Sequence, residues 1–172
     1  MEAFSDLLFS TGIGHYVATY DWVWPFCETL HFVGMCVLLG TVGVVDLRIL
    51  GVGKGIPIHL LEKFVPLGVI AFIVNAATGF IFVAGNPVGG PMEYLTNLSL
   101  QIKMIIVLIG GINLVIFYVT GIEKKLAGVP GDGNAPGSAK AVAAVSLFAW
   151  IMVIVMGRFI MYNDTLLYAF GL

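Results

Sequence analysis

The chain has 172 residues, of which 59% are hydrophobic and only 10% charged, with a mean hydropathy of +1.02. A soluble domain carries roughly 25% charged residues, so this composition excludes a water-solvated surface and places the chain in a bilayer. The net charge of −2 and the absence of a basic patch exclude nucleic acid as a partner.

The opening MEAFSDLLFSTGIGHY is acidic, has no basic n-region and no A-x-A cleavage signal, and so does not read as a signal peptide. Its apolar positions, Phe4, Leu7, Leu8, Phe9, Ile13, Tyr16, Val17 and Tyr20, predict an amphipathic helix lying in the interface over 1–22, interrupted near Gly12 and Gly14. Trp22 and Trp24 then read as belt aromatics at headgroup level.

Four apolar stretches follow, each close to the roughly 20 residues that span a bilayer. They predict transmembrane helices at 25–47, 60–84, 98–121 and 141–162. Pro25 suits the first turn of the first helix, and Thr96 or Asn97 suits the cap of the third. The loop GNPVGGPMEYLTN has turn composition. Residues 123–140, EKKLAGVPGDGNAPGSAK, read as a flexible cytoplasmic loop. The fold expected is an all-α integral membrane protein, one domain over 1–172, built as a four-transmembrane-helix bundle with an N-terminal interfacial helix.

Orientation follows from lysine and arginine. Six of them, Arg48, Lys54, Lys63, Lys124, Lys125 and Lys140, flank the first and third connections, against two, Lys103 and Arg158, on the other side. Both termini are therefore expected in the periplasm of a bacterial inner membrane, with the lipid bilayer as the first partner.

Ionisable groups inside a membrane are costly and point to function. Glu28 and His31 lie three apart on one helix face, and Met35 extends that stripe by another four residues. Counting about 1.5 Å per residue places His31 roughly 10 Å below the outer surface. Asn75, Thr78, Lys103 and Arg158 fall at comparable depth on the other three helices. Pointing inward, these groups form one polar layer; pointing outward, Lys103 and Arg158 snorkel and the amides and hydroxyls bond between helices.

Three chemistries fit this layer. His31 is a candidate axial ligand of haem b, with Arg158 or Lys103 pairing a propionate and His15, a methionine or a second subunit in the remaining position. Cys27, His31 and Met35, at i, i+4 and i+8, are soft enough for copper. Glu28 with His31 also suits a proton or metal-ion relay. From a different class, the same layer serves a non-catalytic integral subunit, in a homo-oligomer or a larger membrane complex. Cys27 and Cys36 lie nine residues apart, half a turn out of phase, which excludes a disulfide between them. Asp46 and Arg48, two apart, are expected to anchor the inner end of the first helix, with Glu62 or Lys63 or another subunit as partners.

Glu28-Thr29-Leu30-His31 followed by Val45-Asp46-Leu47-Arg48-Ile49-Leu50-Gly51, with Lys103 in Gln101-Ile102-Lys103-Met104 and Asn113 in Gly111-Ile112-Asn113-Leu114, resembles a group of small, functionally uncharacterised four-helix bacterial inner-membrane proteins. The resemblance covers about residues 24–121. That group is distantly similar to the membrane domain of copper-resistance protein D, whose first helix also carries a histidine, and the similarity implies copper passage or redox chemistry at the outer side.

Overall fold

The computed structural model describes residues 2–171 of the chain and is all-helical over them. Four helical stretches are long and apolar enough to cross a membrane: Val23–Leu50, Ile58–Ala84, Leu98–Val119 and Gly137–Tyr162. The chain is thus a multi-pass integral membrane protein. With an even number of crossings, both termini lie on one face, called here the terminal face; the first and third connections form the hairpin face.

The expected interfacial segment is two short helices, α1 (Glu2–Ser10) and α2 (Ile13–Thr19). They part at Gly12, whose φ of 72° only glycine adopts without strain. α2 lies on the bundle, where Val17 is buried with Val23 and Cys27.

The first crossing, α3 (Val23–Leu50), is longer than the expected 25–47. Its 28 residues span about 42 Å, more than the roughly 30 Å hydrocarbon core. It closes at Gly51, φ 108°, where the Val52 N–H returns to the Leu47 carbonyl at 2.9 Å. The second crossing starts with a short turn of helix, α4 (Ile58–Leu61), passes through a 3-10 turn at Glu62–Phe64, and continues as α5 (Val65–Ala84). The following loop holds an unexpected helix, α6 (Gly90–Thr96), packed beside α1. α7 (Leu98–Val119) is capped by Asn97, whose side chain accepts the Leu100 N–H at 3.1 Å. The remaining helices are α8 (Ile122–Ala127), α9 (Gly137–Phe159), which ends in a 3-10 turn at Ile160–Tyr162, and α10 (Asn163–Phe170).

α3 and α9 are the middle pair. α3 packs on α5 and α9 on α7, while α5 and α7 stand apart. Small residues set the spacing, as expected where lipid competes with protein for apolar contact. A methyl group at Gly34 would stand 2.9 Å from the Asn75 amide oxygen, so α3 and α5 meet too closely for alanine there. On the other side Trp150 packs over Gly110, and Ala139, Ala143, Ser146 and Ala149 bury the inner face of α9. Large apolar side chains such as Ile105, Leu108, Ile112 and Phe148 face outward, where only lipid can cover them.

Two expectations at the hairpin face are corrected. Arg48 is not an exposed anchor paired with Glu62 or Lys63; it is 2% exposed. Its Nε donates to the Ile56 carbonyl at 2.7 Å, and one terminal nitrogen donates to carbonyls of the third connection, Gly131 foremost, with Pro130 and Gly133 at 3.4 Å. The 123–140 segment is accordingly no free linker. α8 buries Ile122 and Leu126, Ala135 is buried, the Gly55 N–H bonds the Gly131 carbonyl at 2.8 Å, and helix resumes by Gly137. Its glycines and prolines supply turns whose carbonyls a buried guanidinium can collect.

Candidate functional site

The polar layer assembles near the terminal face around one cavity. α3 contributes Glu28, His31 and Met35, α6 contributes Tyr94, α7 contributes Lys103, and α9 contributes Arg158. Together with the groove that runs on from it, the cavity measures about 990 Å³, at the upper end of the roughly 300–1,000 Å³ of small-molecule sites. It continues as an apolar groove between α3 and α9, past Gly40, Val44 and Leu147 to Leu47. From Trp24 to Leu47 this wall is 23 residues long, or about 35 Å.

His31 is half-buried, its imidazole set against Gly79 and the edge of Phe82 on α5. Its Nδ1 lies 2.7 Å from the Thr78 hydroxyl oxygen. That hydroxyl has one proton, and it faces two backbone acceptors, the Val74 carbonyl at 2.8 Å and the Asn75 carbonyl at 3.2 Å. With the Thr78 proton given to the backbone, its oxygen accepts from Nδ1–H. Nε2 is then the ring nitrogen left for a ligand, the arrangement by which a hydrogen-bonded neighbour orients a histidine towards a metal.

Glu28 accepts the Trp24 indole N–H at 3.0 Å, and the Trp24 ring packs on Phe82. Trp24 therefore lines the cavity, whereas Trp22 is exposed. The Tyr94 phenol is held above its usual range by burial first, then by the carboxylates of Glu93 and Glu28, so it stays a hydrogen-bond donor at neutral pH. Lys103 turns into the bundle, its ammonium lying over Gly157, where the missing side chain leaves it room. Arg158 sits at the rim with its guanidinium over the Tyr162 ring, 5.5 Å from the centroid. Among the described residues, no carboxylate lies within 4.0 Å of either cation.

Two of the sequence candidates fall elsewhere. His15 lies exposed on α2 and does not line the cavity. Cys27 is buried beneath α2 with Val17 and Val23, away from the space shared by His31 and Met35. Both cysteines are free, Cys27 buried and Cys36 exposed along the groove. No group of three or more His, Cys, Asp or Glu side chains is close enough to enclose a metal ion among the described residues. Tyr94 is the site residue that sequence reading missed, because α6 sits in a stretch of loop composition.

Among the described residues, the arrangement offers one imidazole, two cations without carboxylate partners and a phenol, all at one end of an apolar groove. Comparison with protein-family models, curated proteins and solved structures finds no match to this chain.

Proposed function

We propose that the chain binds haem b in this cavity, with His31 Nε2 as an iron ligand and Lys103 and Arg158 as counter-charges for the propionates. The observation that supports the reading is the Nδ1–Thr78 hydrogen bond, which occupies one ring nitrogen of a histidine lining a cavity that, with its groove, measures about 990 Å³. Haem supplies one-electron chemistry when bound. The protein's part is to orient the imidazole through Thr78, to hold two carboxylates at Lys103 and Arg158, and to exclude water with Phe82, Trp24 and the groove walls. Any further donor this chain gave to the group would come from a helix other than α3. Met35 lies on the same helix as His31, and with Lys103 serving a propionate, Tyr94 of α6 and Met161 are the cavity-lining donors that would remain for this role. In this reading the terminal face is periplasmic in a bacterial inner membrane, following the lysine and arginine bias. An exposed partner for electron exchange, or a second copy, docks there.

Copper is the weaker redox reading, because Cys27 is withdrawn from His31 and Met35. A second reading rests on the groove's length of about 35 Å: an anionic single-chain amphiphile with its head at Lys103 and Arg158 and its tail along Val44 and Leu147. Titration of purified protein with haemin separates them. Haem binding predicts a saturable Soret shift at one equivalent, lost in His31→Ala and weakened about 10–100-fold in Thr78→Val. No saturable shift, with a lipid retained in native mass spectra and released by Lys103→Met, selects the amphiphile and overturns the haem reading.

A further inference from the structure

A second cleft, of about 170 Å³, opens where α5 and α7 stand apart, towards the hairpin face. Three polar side chains from three helices line it: Asp46 of α3, Asn113 of α7 and Ser146 of α9, exposed by 6%, 8% and 7% respectively. The Asn113 amide nitrogen donates to the Val142 carbonyl at 3.1 Å, which leaves its oxygen for the cleft. Ser146 lines the same cleft as Asp46 and is buried like it. The Asp46 carboxyl oxygen Oδ2 is buried and, among the described residues, has no hydrogen-bond partner.

Among the described residues, no side chain lining the cleft with Asp46 is a cation. Arg48 is two residues on, about 200° around the helix, with its Nε and one terminal nitrogen bonded to loop carbonyls and the other terminal nitrogen buried without a partner among the described residues. The walls contributed by α5 and α9 carry no titratable side chain, and α7 contributes only the Tyr118 phenol. An unpaired carboxylate out of water is too costly to persist, so its charge has to be neutralised in place. Intramembrane carboxylates facing a cavity mark ion and proton paths for this reason.

We propose that Asp46, Asn113 and Ser146 form an intramembrane site for one monovalent cation, a proton or Na⁺, exchanged through the cleft between α5 and α7. A single carboxylate matches a single positive charge, and the serine and asparagine oxygens complete the donor set. A divalent ion requires about six or more oxygen ligands and would keep an uncompensated charge.

The test is an infrared difference spectrum of the full chain in nanodiscs, parent minus Asp46→Asn, taken across pH in NaCl and in choline chloride. Labelling by a lipid-soluble carbodiimide, which attacks neutral carboxyl groups, is mapped in parallel. A bound proton predicts a carboxylic-acid carbonyl band at neutral pH that NaCl leaves unchanged, with labelling at Asp46. Bound Na⁺ predicts carboxylate bands in NaCl that convert to the acid band in choline chloride, with NaCl slowing the labelling. In either case Ser146→Ala and Asn113→Ala each weaken cation binding about 10-fold, the loss of one hydrogen bond or donor, and they report even where Asp46→Asn fails to fold. Carboxylate bands at every pH that ignore NaCl, with no labelling, overturn the proposal; so do unchanged midpoints in both the serine and asparagine variants.

Discussion

Thr78 decides what His31 can do. An imidazole in an apolar bundle with nothing on Nδ1 would leave either nitrogen to bind or to donate; the threonine hydroxyl, itself bonded to the Val74 carbonyl, removes that freedom. Thr78→Val keeps the shape and deletes the acceptor. It is expected to cost about 1 kcal/mol in thermal unfolding, while haemin affinity falls about 10–100-fold. Equal haemin affinity in the two proteins would dismiss the orienting role. The spacing of Glu28 and His31 made their common face legible in the sequence, and depth alone brought Thr78 to the same layer. The hydrogen bond itself was not legible, because it depends on how α3 and α5 are rotated against each other. Cys27 shows the converse: its spacing put it on the His31 stripe, but α2 folds over it, and that docking leaves no local signal. A membrane-permeant thiol reagent should therefore label Cys36 readily and Cys27 only after unfolding.

Helix contacts explain how the site is held. Gly34 lets α3 approach α5 until the Asn75 amide fills the space a side chain would take. Gly34→Ala is expected to destabilise the bundle by about 1–3 kcal/mol through overpacking, and to weaken haemin binding by pushing His31 from Thr78. A variant with parental melting and haemin titration would show that the approach is not tight. At the hairpin face Arg48 ties α3 to both connections through backbone carbonyls. Arg48→Met removes several charge-assisted bonds, each worth about 1.5–3 kcal/mol. Limited proteolysis within 123–140 should then be faster than in the parent. Composition alone pointed to a linker there, since glycine and proline are equally the residues of free chain and of tight turns. Only the buried guanidinium distinguishes them, and its partners are backbone atoms that no sequence motif marks. The four spans were legible to within a few residues because length and hydropathy determine them locally. The short helices α6 and α8 were not, because tertiary packing carries helices of six or seven residues.

On the scale of the whole molecule, two hairpins are joined through α3 and α9, leaving a cavity near the terminal face and a cleft towards the hairpin face. Gly79 sits under His31 in the first hairpin and Gly157 under Lys103 in the second, so each hairpin presents one nitrogen-bearing side chain over a glycine of its second helix or its neighbour. This places the histidine and the lysine in the same layer although 72 residues separate them. The most direct measurement is the optical spectrum of gently purified protein, oxidised and then dithionite-reduced, with metal analysis of the same sample and of His31→Ala. The account predicts a Soret band that shifts on reduction, iron near one equivalent, and loss of both in a variant that remains folded. A folded parent protein with no Soret band, as purified and after haemin addition, would contradict it.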